Sequence, residues 1–473
     1  MGLLGLGLAR GQGLRVEEVV GGLEVPWALA FLPDGGMLIA ERPGRIRLFR
    51  EGRLSTYAEL PVYHRGESGL LGLALHPRFP EAPYVYAYRT VAEGGLRNQV
   101  VRLRHLGERG VLDRVVLDGI PARPHGLHSG GRIAFGPDGM LYVTTGEVYE
   151  RELAQDLASL GGKILRLTPE GEPAPGNPFL GRRGARPEVY SLGHRNPQGL
   201  AWHPKTGELF SSEHGPSGEQ GYGHDEANLM VPGGNYGWPR VAGRGNDPRY
   251  RDPLYFWPQG FPPGNLAFFR GDLYVAGLRG QALLRLVLEG ERGRWRVLRV
   301  ETALSGFGRL REVQVGPDGA LYVTTSNRDG RGQVRPGDDR VLRLREGKGR
   351  GRPLAEADLQ DPVPQGGLGR PLLNGPGEVQ GAAEGADGPL LQEVGAGQGV
   401  AHPGQGHPLP LLQKLQVLGA HPGEVHEEDV VLLGFQKVHP GGPGGGLLPG
   451  EEVGELGDAL LQFLQLSQGF QAV

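Results

Sequence analysis

Between residues 15 and 346 the apolar and polar positions recur in one design. An apolar pair leads into a Pro or Gly turn, and a short β-rich strand follows. The unit occurs at Phe31 (FLPDGGMLIAE), Leu75 (LHPRFPEAPYVYAY), Phe135 (FGPDGMLYVTTGE), Trp202 (WHPKTGELFSSEH), Phe268 (FFRGDLYVAGL) and Val315 (VGPDGALYVTTSN). Five of the six are followed by a second signature, in which apolar and basic residues alternate: GRIRLFREG, QVVRLRHLG, GKILRLTPEG, ALLRLVLEG and RVLRLREG. Alternation with a period of two marks a strand that buries one face.

Six copies of a hairpin-plus-strand unit, each too small to bury its own apolar face, predict blades stacked around an axis. The expected fold is all-β, a six-bladed β-propeller. A β-helix has far shorter repeats, and a two-sheet sandwich does not need sixfold repetition. The units are spaced by 44, 60, 67, 66 and 47 residues. The uneven spacing places inserted loops mainly at 146–202 and 211–268, where a site on one face would be assembled.

Beyond residue 347 the pattern stops. Residues 349–473 contain no Ile, Thr, Tyr, Trp or Met, and hold 5 Lys and Arg against 15 Asp and Glu, while the rest of the chain holds 45 against 38. Residues 347–473 are therefore expected to be a Gly/Pro/Gln-rich tail without a core, either a disordered acidic extension or a non-native one such as a frameshift would give. At the other end, residues 1–14 resemble a shortened export signal without its basic region, which suggests a periplasmic or secreted protein. The 85 glycines and 40 prolines suit many short strands joined by tight turns. The absence of cysteine excludes disulfides and thiolate metal sites. No apolar run is long enough to span a bilayer. The mildly basic body is compatible with an anionic small ligand, and nothing in the chain suggests nucleic acid.

Several stretches would be odd as scaffold. In GLHSGGRIAFGPDG, His128 precedes two glycines that allow a backbone to approach a ligand closely. GHRNPQGLAWHP sets His, Arg, Asn and Gln immediately before a strand. SSEHGPSGEQGYGHDEANLMVPGGNYGWP is an oxygen-rich loop of the kind that suits Ca²⁺. In FGRLREVQVGPDG, Arg309 and Arg311 are two apart and so share one strand face. Taken singly, each reads equally well as a solvated loop, a surface salt bridge or an incidental histidine.

Taken together, ESGLLGLALHP, HSGGR, GHRNPQG, EHGP, GGNYGWP, GRLRE, TSNRDGRG and GDDRVLRL stand in the order found in the soluble, pyrroloquinoline-quinone-dependent glucose/sorbosone dehydrogenases. The chain resembles the aldose sugar dehydrogenase type of that family over residues 15–346. The resemblance implies two cofactors, pyrroloquinoline quinone (PQQ) and Ca²⁺, and oxidation of an aldose at C1 to the lactone. Arg195, Arg279, Arg309 and Arg311 match cationic partners of the three cofactor carboxylates, and some relatives carry Lys at position 279. Asn196 and Gln198 match polar cofactor contacts. Glu67 matches a position that is Gln in the glucose dehydrogenases.

By the same resemblance His128 is the general base and Glu147 orients its ring. The carbonyls of Gly215 and Pro216 match a Ca²⁺ site that touches the cofactor, while Glu226 and the carbonyl of Tyr236 match a second, structural one. Partners would be a sugar substrate and an electron acceptor that the sequence does not identify. Two other readings stay open at this point: a calcium-dependent propeller lactonase, which has no need of four arginines, and a non-catalytic extracellular binding module.

Overall fold

The computed structural model describes residues 14–218 and 221–346. Within them the chain forms six four-stranded antiparallel sheets. The first blade is Pro26–Phe31, Met37–Glu41, Arg45–Arg50 and Arg53–Glu59, and the second is Leu70–Leu75, Tyr84–Val91, Arg97–His105 and Gly110–Pro121. The third is Ile133–Phe135, Leu141–Thr144, Lys163–Leu167 and Val189–Leu192, and the fourth is Asn196–Trp202, Leu209–His214, Asp225–Leu229 and Tyr255–Trp257. The fifth is Pro263–Phe269, Asp272–Gly277, Ala282–Glu291 and Arg294–Ser305. Leu310–Val315, Leu321–Thr325 and Val341–Glu346 make the sixth, and Leu14–Val20, the first strand in the chain, supplies its fourth member. The fold is a six-bladed β-propeller closed by its two ends. The expectations for residues 1–13 and 347–473 lie outside the described residues.

Each repeat start seen in the sequence is the end of an innermost strand, and each apolar/basic alternation is a third strand. In Arg45–Arg50 the apolar Ile46 and Leu48 are buried while the alternating Arg45 and Arg47 are not. Full burial of such a side chain stabilises the fold by about 1.5–3 kcal/mol. The apolar faces meet between neighbouring blades in distinct layers: one core runs through blades one to three, others join blades three and four, four and five, five and six, and six and one. The fourth blade lacks the alternation, because its third strand is Asp-Glu-Ala-Asn-Leu.

At the axis the innermost strands are tied by polar groups. Arg132 Nη1 lies 2.9 Å from Glu312 Oε2 and donates to Trp27 O at 3.3 Å, and Arg132 Nε donates to Gln198 O at 2.9 Å. Its guanidinium carbon sits 4.0 Å from the centre of the Trp27 ring. Glu312 Oε1 also accepts from Asn265 Nδ2 at 2.7 Å. Five blades thus meet at one buried ion pair. Breaking such a pair by removing one partner typically costs about 3–5 kcal/mol.

Candidate active site

In an antiparallel blade the start of the innermost strand and the end of the second lie at the same edge. Residues placed just before a first strand or just after a second strand therefore share one face of the propeller. Glu67, His128, Arg195 and Arg309 are of the first kind, and Glu147, Gly215, Pro216 and Arg279 are of the second.

His128 is buried and adopts a positive φ of 52°. The two glycines that follow are required. A Cβ at Gly130 would lie 2.6–2.8 Å from the Thr144, Thr145 and Gly146 backbone. This close approach brings the His128 loop against the return of the hairpin, so that Nδ1 reaches Glu147 Oε1 in a hydrogen bond. Glu147 is fully buried and also accepts from the Tyr149 N–H at 2.9 Å and from Trp238 Nε1 at 3.2 Å. Burial pushes its carboxyl up, but the His128 and Arg195 charges and these hydrogen bonds outweigh burial and hold it below the usual carboxylate range. In the neutral ring a carboxylate on Nδ1 favours the proton there, which would leave Nε2 as the lone-pair nitrogen.

Glu67, Asn196 and Gln198 frame that histidine. Glu67 Oε1 accepts from His128 N at 3.1 Å and from Asn196 Nδ2 at 3.2 Å. Asn196 Oδ1 accepts from Gly130 N at 3.0 Å and from Gln198 Nε2 at 2.9 Å. Burial raises the Glu67 carboxyl, yet Arg331, His128 and Arg311 pull it below its ordinary value, so it is a carboxylate. The face thus carries an anion where a glutamine would be neutral.

The four arginines form two groups. Arg309 and Arg311 are both buried and share one acceptor: Asp329 Oδ2 lies 2.8 Å from Arg309 Nε and 3.0 Å from Arg311 Nη2. Arg42, also buried, donates to the Asp329 carbonyl at 3.2 Å. Burial and the neighbouring Arg42 and Arg309 charges overcome Asp329 and push the Arg311 guanidinium down to about 9. Asp329 and Glu67 against the Arg42, Arg309, Arg311 and Arg331 guanidinium groups leave this end of the site cationic. Arg195 and Arg279 lie toward Asp225. Arg195 is buried, within 5.7 Å of the Tyr149 ring centre and 5.6 Å of the Trp238 ring centre. The exposed Arg279 packs over Gly260, where an added Cβ would meet its Nη2 at 2.5 Å and Asp225 Oδ2 at 3.5 Å.

Gly215, Pro216, Glu226 and Tyr236 line a common cleft with Arg195, Glu213, His214, His224 and Trp238. Gly215 N donates to Asp225 Oδ1 at 2.9 Å, and Pro216 O accepts from Gly223 N at 3.1 Å. Burial and then the Glu213 charge raise Glu226 well above the usual carboxylate range. Asn228 Nδ2 bridges the two carboxyls, at 3.3 Å from Glu213 and 3.2 Å from Glu226, and its Oδ1 has no partner among the described residues. Two crowded buried carboxyls beside an orphaned amide oxygen are a donor set that fits a hard cation. No group of three or more His, Asp or Glu side chains that could hold a metal ion occurs among the described residues.

Sequence reasoning missed Asp329, Arg42, Tyr149 and Trp238. Asp329 had a usable signal: VTTSNRD in the sixth repeat parallels VTTGE in the third, so both carboxylates follow a second strand. Trp257 is buried in the outer strand of the fourth blade and packs on Phe261.

The family described as Glucose / Sorbosone dehydrogenase matches residues 23–335. A crystal structure from Thermus thermophilus, provisionally described as an oxidoreductase (glucose dehydrogenase), is 98% identical with a TM-score of 0.70, covering 70% of this chain and 100% of that one. The PQQ-bound aldose sugar dehydrogenase of Streptomyces coelicolor is 43% identical with a TM-score of 0.62, and 70% of this chain and 98% of that one are covered. Aldose sugar dehydrogenase YliI of Escherichia coli K12 is 34% identical over 347 residues, which is 67% of this chain and 91% of its own length.

Proposed function

The chain belongs to the glucose/sorbosone dehydrogenase family and is an oxidoreductase, and from that premise we propose that it oxidises aldose sugars at C1 to the lactone, with PQQ and Ca²⁺. The observation that carries this reading is the buried His128–Glu147 pair, which leaves one basic nitrogen on a face of excess positive charge.

The residues present fit a planar tricarboxylate. Arg309 and Arg311 crowd a single carboxylate, and burial, with the neighbouring Arg42 and Arg309 charges, pulls Arg311 down to about 9. Paired guanidinium oxygen recognition suits carboxylates. Arg195 and Arg279 would take the opposite end. When bound, the quinone supplies the two-electron acceptor for the hydride leaving C1. The carbonyls of Gly215 and Pro216 would hold a calcium ion that would supply Lewis acidity, and Glu226 with the Tyr236 carbonyl would hold a second, structural ion.

The chain's own part is proton chemistry. His128 Nε2 takes the proton from the C1 hydroxyl as hydride departs. Glu147 holds the ring in that tautomer and stabilises the imidazolium that results. A positioned base of this kind contributes typically about 10²–10⁴-fold. Glu67 keeps the His128 amide, and with it the ring's pivot, in place.

The test is to load the protein with PQQ in Ca²⁺ and follow dye-linked oxidation across a panel of aldoses, alongside His128→Gln. Wild type should yield lactone, and the variant should lose at least about 10²-fold in kcat while its quinone Kd stays within threefold. A loaded wild type that oxidises no aldose sinks the proposal. Loss of quinone affinity in step with rate would make His128 a binding residue instead.

A further inference from the structure

We propose that Tyr149 is a positioning residue, a ring clamp that holds the His128 imidazole in plane. The inference rests on reading His128 as the base. A single hydrogen bond from Nδ1 fixes the proton but lets the ring rock about the Nδ1–Oε1 axis. The Tyr149 ring removes that freedom: it lies face to face with the imidazole, ring centres 3.8 Å apart and planes 20° from parallel. His125 meets the same tyrosine edge-on at 5.9 Å, so the clamp is itself held from another side.

The backbone supplies an independent argument. Glu150 N donates to Glu147 O at 2.9 Å, closing a four-residue turn with Val148 and Tyr149 at its centre. Both central residues have positive φ, 51° and 61°. That is the signature of a type I′ turn, which Asn-Gly fills without strain. A β-branched valine and a bulky tyrosine are the wrong residues for such a turn on backbone grounds. Left-handed non-Gly residues persist where surrounding structure holds them, and they cluster at functional sites. Here the side chains explain the choice. Val148 is buried, and the Tyr149 turn delivers its ring to His128 and its amide to Glu147 Oε1, the same oxygen that receives Nδ1. One strained residue thus fixes both members of the pair.

The experiment compares wild type with Tyr149→Phe, Tyr149→Leu and Tyr149→Gly, first without cofactor. Histidine ¹⁵N spectra, assigned with His128→Gln, report the tautomer of His128 and the solvent exchange of its Nδ1 proton. Wild type and the Phe variant should show one Nδ1–H tautomer. The Leu and Gly variants should exchange that proton at least about tenfold faster, and the Gly variant should melt no lower than the Leu variant because it relieves the positive φ. In loaded enzyme, Phe should keep kcat within twofold, whereas Leu and Gly should lose about tenfold with KM within threefold. Wild-type exchange and kcat in the Leu variant overturn the clamp, as does a Phe variant as impaired as Leu. If His128→Gln turns over normally, the assignment of the base fails, while the exchange data still decide whether Tyr149 orders the ring.

Discussion

Asp329 carries more of the site than its single charge suggests. Its Oδ2 receives Arg309, Arg311 and the Ser326 hydroxyl, the last at 3.1 Å, and its Oδ1 receives the Arg331 N–H at 2.9 Å. Burial raises its carboxyl, but Arg309 and Arg311 win and hold it far below the usual range. A carboxyl depressed on folding contributes stability that is present above its unfolded value and lost as pH falls through the folded one. Asp329→Asn keeps the shape and removes the charge, leaving two buried guanidinium groups without their anion. The cofactor-free variant should lose about 3–5 kcal/mol in denaturant unfolding at pH 7, and the gap to wild type should shrink steadily below pH 4. A variant as stable as wild type at pH 7 would show that the arginines find solvent or other partners. The arginine pair itself was legible from two residues sharing a strand face. Its counter-ion was not, because an aspartate in a Gly-rich loop looks like turn chemistry until two repeats are aligned. Tyr149 left no signal, since ring stacking depends on a turn whose backbone contradicts its residues.

At the level of the element, the third strands show how far a local pattern carries. Five were readable because alternation of apolar and basic residues suits one face against a neighbouring blade and one toward solvent. The fourth, Asp225–Leu229, has Glu226 lining the cleft and Asn228 bonded to it, so buried polar residues stand where the pattern would be. Lys163 is a milder exception at the start of the third blade's strand. It is fully buried, and its Nζ donates to Leu153 O at 2.6 Å and Gly161 O at 2.7 Å, pinning the short 3₁₀ helix Arg151–Gln155 that follows the Tyr149 turn. Burial pulls its ammonium down to about 7, only weakly opposed by Asp156. Between pH 7 and about 10.5 the unfolded chain therefore binds more protons than the folded one, and stability rises with pH across that window. The stability of wild type relative to Lys163→Met should climb by on the order of 1–4 kcal/mol from pH 7 to pH 10. A difference that stays flat over the window means the amine is hydrated in the folded state.

For the whole molecule the decisive contact is the one that no local pattern encodes. Leu14–Val20 pairs antiparallel with Val341–Glu346, Leu14 opposite Glu346 and Val20 opposite Val341, so the ring closes by joining residues more than 320 positions apart. The repeats implied six blades, and the described blades run from Leu14 to Glu346. What the repeats could not supply was which blade receives the first strand, because alternation in LRVEEVV suits any outer position. Closure also sets where the fold needs the chain and where it does not. All six blades lie within residues 14–346, and the 98% identical Thermus structure is matched over its whole length by 70% of this chain. We therefore propose that a chain stopped after Glu346 melts within about 2 °C of full length and keeps its activity, a window that corresponds to roughly 1–1.5 kcal/mol in a domain of this size. Removal of residues 1–21 should act in the opposite sense. It strips the partner from Val341–Glu346 and uncovers the core that Leu14 and Val16 fill, each buried and each worth about 1.5–3 kcal/mol. The open sixth blade would then present an unpaired strand edge, the usual template for aggregation. Thermal melting with light scattering on the two truncations separates the cases. A C-terminal truncation that unfolds, or an N-terminal one that melts like full length, would place the stabilising closure elsewhere in the chain.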